Sequence, residues 1–142
     1  MKILVIDGQG GGLGRQLVAG IKEACPKAEI IAVGTNALAT NTMLKAGADH
    51  GATGENAVVV NCRKADIIVG PTGIVIADSM YGEITPTMAV AIGQSEARRI
   101  LVPVNLCDSF IAGTPEQPML KLVQDAISLV KTQQLKIWQE AG

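Results

Sequence analysis

The chain alternates short apolar runs with stretches in which apolar residues recur every three or four positions. Lys2-Ile3-Leu4-Val5-Ile6-Asp7 reads as a buried strand, and Gly8-Gln9-Gly10-Gly11-Gly12-Leu13-Gly14 follows at once. From Arg15 onward a helix is predicted. Leu17, Val18, Ile21, Ala24 and Cys25 fall on one face of it, and Pro26 ends it. Glu29-Ile30-Ile31-Ala32-Val33 reads as a second strand, closed by Gly34-Thr35-Asn36. A short helix follows, with Ala39, Met43 and Ala46 on one side and Gly47 as its C-terminal stop.

Residues 48–65 admit two readings. Val58-Val59-Val60 is a β-branched run suited to a strand, whereas Thr53-Gly54-Glu55-Asn56 resembles a helix start with an acidic first turn. The favoured reading is a short strand near Asp49–Ala52 and a helix from about Glu55 to Lys64. Asp66-Ile67-Ile68-Val69 is a clearer strand, expected to end in a tight loop at Gly70-Pro71-Thr72-Gly73. Ile74 to Met80 reads as either a strand or a helical turn. Thr85-Pro86 opens a helix with proline at its first position, running to about Gln94. Arg99-Ile100-Leu101-Val102-Pro103-Val104 is the last predicted strand, with Asn105 at its end and Pro103 marking it as an edge. From Pro118 to about Trp138, Leu120, Val123, Ile127 and Val130 repeat at helical spacing.

Strands and helices alternate, and the strands are continuous apolar runs, as in a parallel sheet covered on both faces. The expected fold is therefore α/β: a doubly wound, Rossmann-like, mostly parallel sheet in a single three-layer domain over residues 1–142, its last helix at about 118–138. No linker, repeat or low-complexity segment divides the chain. A length of 142 residues and 48% hydrophobic composition suit one core of that kind.

Charge and composition narrow the function classes. A net charge of −1 offers no basic face for nucleic acid. Trp138, Tyr81 and Phe110 are the only aromatic residues, too few for a base-stacking platform. No apolar run approaches the roughly 20 residues of a membrane span, and the run Ile3 to Ile6, closed by Asp7, is too short for a signal peptide. Cys25, Cys62 and Cys107 are widely spaced and form no CxxC pair, so no metal site and no disulfide framework is expected. These features suggest a reduced, cytoplasmic protein.

A glycine-rich turn between a first strand and a first helix is how α/β proteins commonly meet a phosphate. Glycine lets an anion approach backbone N–H groups at the helix start. Five glycines in seven residues exceed the needs of a plain strand-to-helix crossover. Gly8, Gly12 and Gly14 form G-x-x-x-G-x-G, and Leu13 stands where the dinucleotide fingerprint G-x-G-x-x-G places its third glycine. The spacing is similar to that of short-chain dehydrogenases, but their Tyr-x-x-x-Lys pair is absent, because Tyr81 is followed four places on by Thr85. A P-loop is excluded by Arg15-Gln16 where Lys-Ser/Thr should stand. Gly8, Gln9, Gly10, Gly11, Gly12, Leu13 and Gly14 are thus the first candidate binding residues.

Ligands of open parallel sheets bind outside the carboxyl ends of the strands. That rule adds Thr35, Asn36, Gly70, Pro71, Thr72, Gly73 and Asn105, with Asp7 on the same rim. An acidic ribose-binding residue is expected after the second strand, where this chain has Gly34-Thr35-Asn36. Thr35 or Asn36 could bond a ribose hydroxyl, and a neutral end tolerates a 2′-phosphate better than a carboxylate would. Equally, Asn36 could cap the next helix. Asp78 and Glu83 are the best acid/base candidates. His50, Glu55, Asn56 and Cys107 have ordinary structural explanations. The last helix is apolar over a wide arc, since Leu122, Ala126 and Leu129 join its main stripe, and a homodimer is expected from that.

The phrases MKILVIDGQGGGLGRQLV, AVGTNALATNTMLKAGADHGATGENAVVVN and GPTGIVIADSMYGEITP resemble a bacterial family that carries only a domain-of-unknown-function label. The resemblance spans roughly residues 1–113 and implies a cytoplasmic Rossmann-like protein, without an activity or catalytic residues. The leading expectation is a sensory or regulatory module holding a small phosphate-bearing ligand. NAD(P) or another nucleotide is the expected cofactor, with no metal, nucleic acid or membrane partner. The alternatives are an NAD(P)-linked oxidoreductase and a structural oligomer with an empty site. The sequence assigns no reaction.

Overall fold

In the computed structural model, which describes residues 1–142, five strands and five α-helices follow one another along the chain. The strands β1 (Lys2–Asp7), β2 (Glu29–Gly34), β3 (His50–Thr53), β4 (Ile67–Pro71) and β5 (Arg98–Val102) are all parallel and lie in the order β3-β2-β1-β4-β5. The chain moves outward from β1 through β2 to β3, then crosses to β4 on the other side of β1 and moves outward again. Because such crossovers share one hand, the two directions place their helices on opposite faces. The helices α1 (Gly12–Ala24), α2 (Ala37–Lys45) and α5 (Met119–Ala141) cover one face; α3 (Glu55–Cys62) and α4 (Pro86–Gln94) cover the other. The result is a doubly wound α/β sandwich of three layers.

The burial of β1 explains its unbroken apolar run. Strand side chains alternate between faces, so Ile3 and Val5 enter the core under α1 and α5, while Leu4 and Ile6 enter the core under α3 and α4. All four are fully buried. In the valine run, the helix reading holds: Val58 and Cys62, four apart, are the buried pair that docks α3 on the sheet. Pro103 lies one residue beyond β5, which is an edge strand.

Four local features refine or correct the expectations. First, α1 begins at Gly12 rather than Arg15, because Gly11 takes the cap position with φ +74 and Gly12 and Gly14 enter the helix. Second, Gly70 and Pro71 belong to β4 and not to a loop. A Cβ at Gly70 would stand 2.5 Å from the carbonyl oxygen of Ile6, so glycine there lets β4 lie against β1. Third, of the two readings of Ile74 to Met80 the helical turn is the nearer: a 3₁₀ turn over Thr72–Val75 leads into irregular turns. Fourth, of the three residues expected to give α5 a second contact, Ala126 is in the core and Leu122 packs against it, leaving only Leu129 outward.

Helix α1 approaches its surroundings through glycines. A Cβ at Gly14 would meet Met43 Sδ at 2.5 Å and Asp7 Cβ at 2.9 Å, whereas one at Gly93, exposed in α4, would meet nothing within 4 Å. Alanine substitution should therefore have opposite signs at the two sites. Gly14→Ala is expected to cost about 1–3 kcal/mol through overpacking. Gly93→Ala is expected to gain up to about 1 kcal/mol through helix propensity. Urea midpoints of the two variants against the parent check both.

Candidate functional site

Strand β1 delivers Asp7 to the carboxyl end of the sheet with its side chain buried. Asp7 Oδ1 accepts from the N–H of Gly8 at 2.8 Å, and Oδ2 accepts from the N–H of Gly14 at 2.7 Å. One carboxylate thus spans the glycine turn from its first residue to its last. Inside the turn the Gly11 N–H donates to the carbonyl of Gly8 at 2.9 Å. Gln9, held at φ +50, donates its N–H outward to Glu83 Oε1 at 2.9 Å. That leaves the N–H groups of Gly10, Gly12 and Leu13 with no protein partner. The Leu13 side chain is buried in the core, so this residue offers the site only its amide.

Gly10 and Gly12 are exposed, and a Cβ at either would meet nothing within 4 Å. Neither has a left-handed φ. Packing and backbone conformation therefore give no reason for glycine at these two positions, in contrast to Gly8, Gly11 and Gly14. At Gly8 a Cβ would meet Thr35 Oγ1 at 2.7 Å, and at Gly11 it would meet the Ala39 backbone at 2.9 Å. Arg15, on the first turn of α1, is exposed and in no ion pair. A cation there opposes the helix dipole and complements an incoming anion.

The end of β2 is tied to the opposite side of the sheet. Glu83 Oε1 accepts from the Thr35 hydroxyl at 2.5 Å and from Asn36 Nδ2 at 2.9 Å, besides the Gln9 amide. Asn36 also donates to the Gln9 carbonyl, and its Oδ1 caps α2 by accepting from the Ala39 N–H at 2.9 Å. Asn36 is therefore the helix cap, and its amide serves the turn as well. Thr72, Gly73 and Asn105 form a second group at the ends of β4 and β5. Thr72 Oγ1 donates to the Val102 carbonyl at 2.9 Å, and a Cβ at Gly73 would stand 2.5 Å from the Asn105 carbonyl oxygen. The segment Ile76–Ile84 links the groups, with the Ser79 hydroxyl donating to Gly73 and Glu83 reaching the glycine turn. Gly70 and Pro71, buried within β4, stand behind both.

The remaining candidates lie elsewhere. His50 is exposed on β3, 3.3 Å from Glu29. Glu55 accepts from the Thr85 hydroxyl, and Cys107 is exposed in the loop after β5. No three His, Cys, Asp or Glu side chains gather as a metal set. A cavity of about 790 Å³ opens at the amino end of the sheet, between Arg63, Gln94, Arg98 and Glu140, remote from the glycine turn. The union of Glu83 with Thr35 and Asn36 escaped sequence reasoning, since nothing in spacing announces contacts 48 and 47 positions apart.

The two carboxylates are tuned in opposite directions. Burial pushes Asp7 up from the ordinary 3.8, against the pull of the Gly14 and Gly8 amides, and the charge of Glu83 adds to the rise. For Glu83, desolvation is the largest single influence and raises it, but the bonds from Thr35, Gln9 and Asn36 together bring it below the ordinary 4.5. A raised folded value contributes stability that is full below 3.8 and is lost as pH rises through the folded value. A lowered one contributes stability that is full above 4.5 and is lost as pH falls through the folded value. Urea midpoints from about pH 3 to 7 should therefore rise more steeply with pH in Asp7→Asn and less steeply on the acid side in Glu83→Gln.

No helix is long and apolar enough to cross a membrane. No curated protein sequence matches the chain. Among solved structures, the dodecameric FMN-dependent UbiX-like decarboxylase from Escherichia coli O157:H7 is similar at 16% identity and a TM-score of 0.46, covering 94% of this chain and 93% of that one. A domain of unknown function, DUF3842, matches residues 2–135, reaching past the resemblance at 1–113 and into α5. The chain belongs to the DUF3842 family.

Proposed function

We propose that the protein binds a nucleotide or dinucleotide at the glycine turn, as a sensory or regulatory module. The observation that carries this reading is the pairing of free amides with unexplained glycines. Gly10, Gly12 and Leu13 keep unpartnered N–H groups, and Gly10 and Gly12 leave open space in front of them that neither packing nor backbone conformation requires. A helix start with free amides favours an anion, and the unpaired Arg15 adds to that field. The place is the carboxyl end of β1 beside β4, where the order of the sheet reverses, as expected for ligands of open parallel sheets. The bonds from Thr35, Gln9 and Asn36 to its Oε1 hold Glu83 below the ordinary carboxylate value, which favours a fixed acceptor in a binding site over an acid or base that must take up a proton. We also infer a homodimer through α5, whose outward face carries Leu120, Leu135 and Trp138, each more than half exposed.

Binding is tested by calorimetry with ATP, GTP, FAD, NAD⁺ and NADP⁺ at up to millimolar ligand. At least one should bind, and Gly12→Leu should weaken it by about tenfold or more while leaving the melting temperature within a few degrees, since a side chain there meets open space. Affinity retained in Gly12→Leu would place the ligand elsewhere, and no binding by any of the five would sink the reading. For the dimer, Trp138→Asp should lower the mass seen by light scattering towards that of one chain.

A further inference from the structure

We propose that Glu83 selects the sugar of the bound nucleotide, favouring a ribose with a free 2′-hydroxyl and rejecting a 2′-phosphate; this rests on the nucleotide reading above. Dinucleotide sites of this sheet type carry a carboxylate just after β2, on the ribose hydroxyls. Here the chain after β2 reads Thr35-Asn36 and has none. The structure supplies the missing group from another element. Glu83, in the turn between β4 and α4, lays its Oε1 against the Thr35 hydroxyl and Asn36 amide. The third donor to that oxygen, the Gln9 N–H, belongs to the glycine turn itself. The carboxylate is thus fixed where the end of β2 meets the turn.

Only Oε1 is engaged. Oε2 accepts no hydrogen bond from the protein, and Glu83 is half-exposed, so one acceptor remains for sugar hydroxyls. The neutral donors that would welcome a 2′-phosphate, Thr35 and Asn36, are already spent on Glu83. Such selectivity runs opposite to the expectation that the neutral Thr35-Asn36 end tolerates a 2′-phosphate. The backbone that carries Glu83 is held under strain: Asp78, Met80 and Tyr81 all have left-handed φ, at +66, +57 and +56. Such residues persist where surroundings over-determine them, and cluster at binding sites. Here the Asp78 N–H donates to the Ile84 carbonyl at 2.7 Å, and Met80 and Ile84 are buried.

Calorimetry of the full chain with NAD⁺ and NADP⁺, which differ only in the 2′-phosphate, tests this. The parent should prefer NAD⁺ by about tenfold or more, and Glu83→Gln, which keeps the shape and removes the charge, should shrink that preference to about threefold or reverse it. If Glu83→Gln fails to fold by circular dichroism, Thr35→Val, which removes one of the three donors, should narrow the ratio instead. Equal affinity for the two in the parent, a preference for NADP⁺, or an unchanged ratio in the variant overturns the role of Glu83 while leaving nucleotide binding intact. So does binding of neither while ATP, GTP or FAD still binds. Failure of all five removes both proposals together.

Discussion

The geometry of the glycine turn depends on the Asp7 carboxylate. It is buried at the end of the central strand, and each of its oxygens holds one backbone amide, those of Gly8 and Gly14. A buried N–H without a partner costs about 1–3 kcal/mol, so the two bonds satisfy groups that water does not reach at the foot of α1. They also pin the first turn of the helix beside the strand that precedes it. Gly14 must be glycine for this to happen, because Asp7 Cβ and the Met43 side chain occupy the space of a methyl group. With the inward amides consumed in this way, those of Gly10, Gly12 and Leu13 are left without a protein partner. The free amides are thus a by-product of how the turn is closed.

A second constraint comes from the far side of the sheet. The residues between the 3₁₀ turn and α4 adopt left-handed backbone at Asp78, Met80, Tyr81 and Gly82. For L-residues that conformation costs roughly 1–2 kcal/mol each. The segment is held by burial of Ser79, Met80 and Ile84 and by the bond from Ser79 to Gly73. What the strain achieves is reach: it carries one carboxylate from beyond β4 to the end of β2. The ends of β1, β2 and β4 are joined through Glu83 without any regular element spanning them.

The sequence made some of this visible and hid the rest. The strands could be read because parallel strands buried on both faces need unbroken apolar runs, and Ile3–Ile6 and Ile67–Val69 supply them. The helix over the valine run was legible because Glu55 stands in an acidic first turn. Gly70-Pro71 misled, since two turn-forming residues within a strand make sense only once Ile6 is known to pass beside Gly70. Helix α1 starts earlier than its apolar spacing suggests for a related reason, as glycines that ordinarily end helices here form its first turn. Asp7 was legible as a rim residue but not as a clasp, because its bonds depend on the path of the turn. Glu83 could be named as an acidic group but not placed, since a contact across the sheet has no periodicity.

The charges around the turn bear on what the free amides can hold. A helix start favours an anion by about 0.3–1 kcal/mol in exposed settings. Two like charges about 8 Å apart repel by about 2 kcal/mol at an effective dielectric of 20. With Glu83 held ionised by its three donors, a bare phosphate at Gly10, Gly12 and Leu13 gains little unless other groups contribute. Arg15, exposed and in no ion pair, relieves part of the repulsion. The remainder has to come from neutral portions of the ligand, above all from hydroxyls that can donate to the open oxygen of Glu83. The proposed nucleotide meets that demand, since it joins a phosphate to a sugar diol.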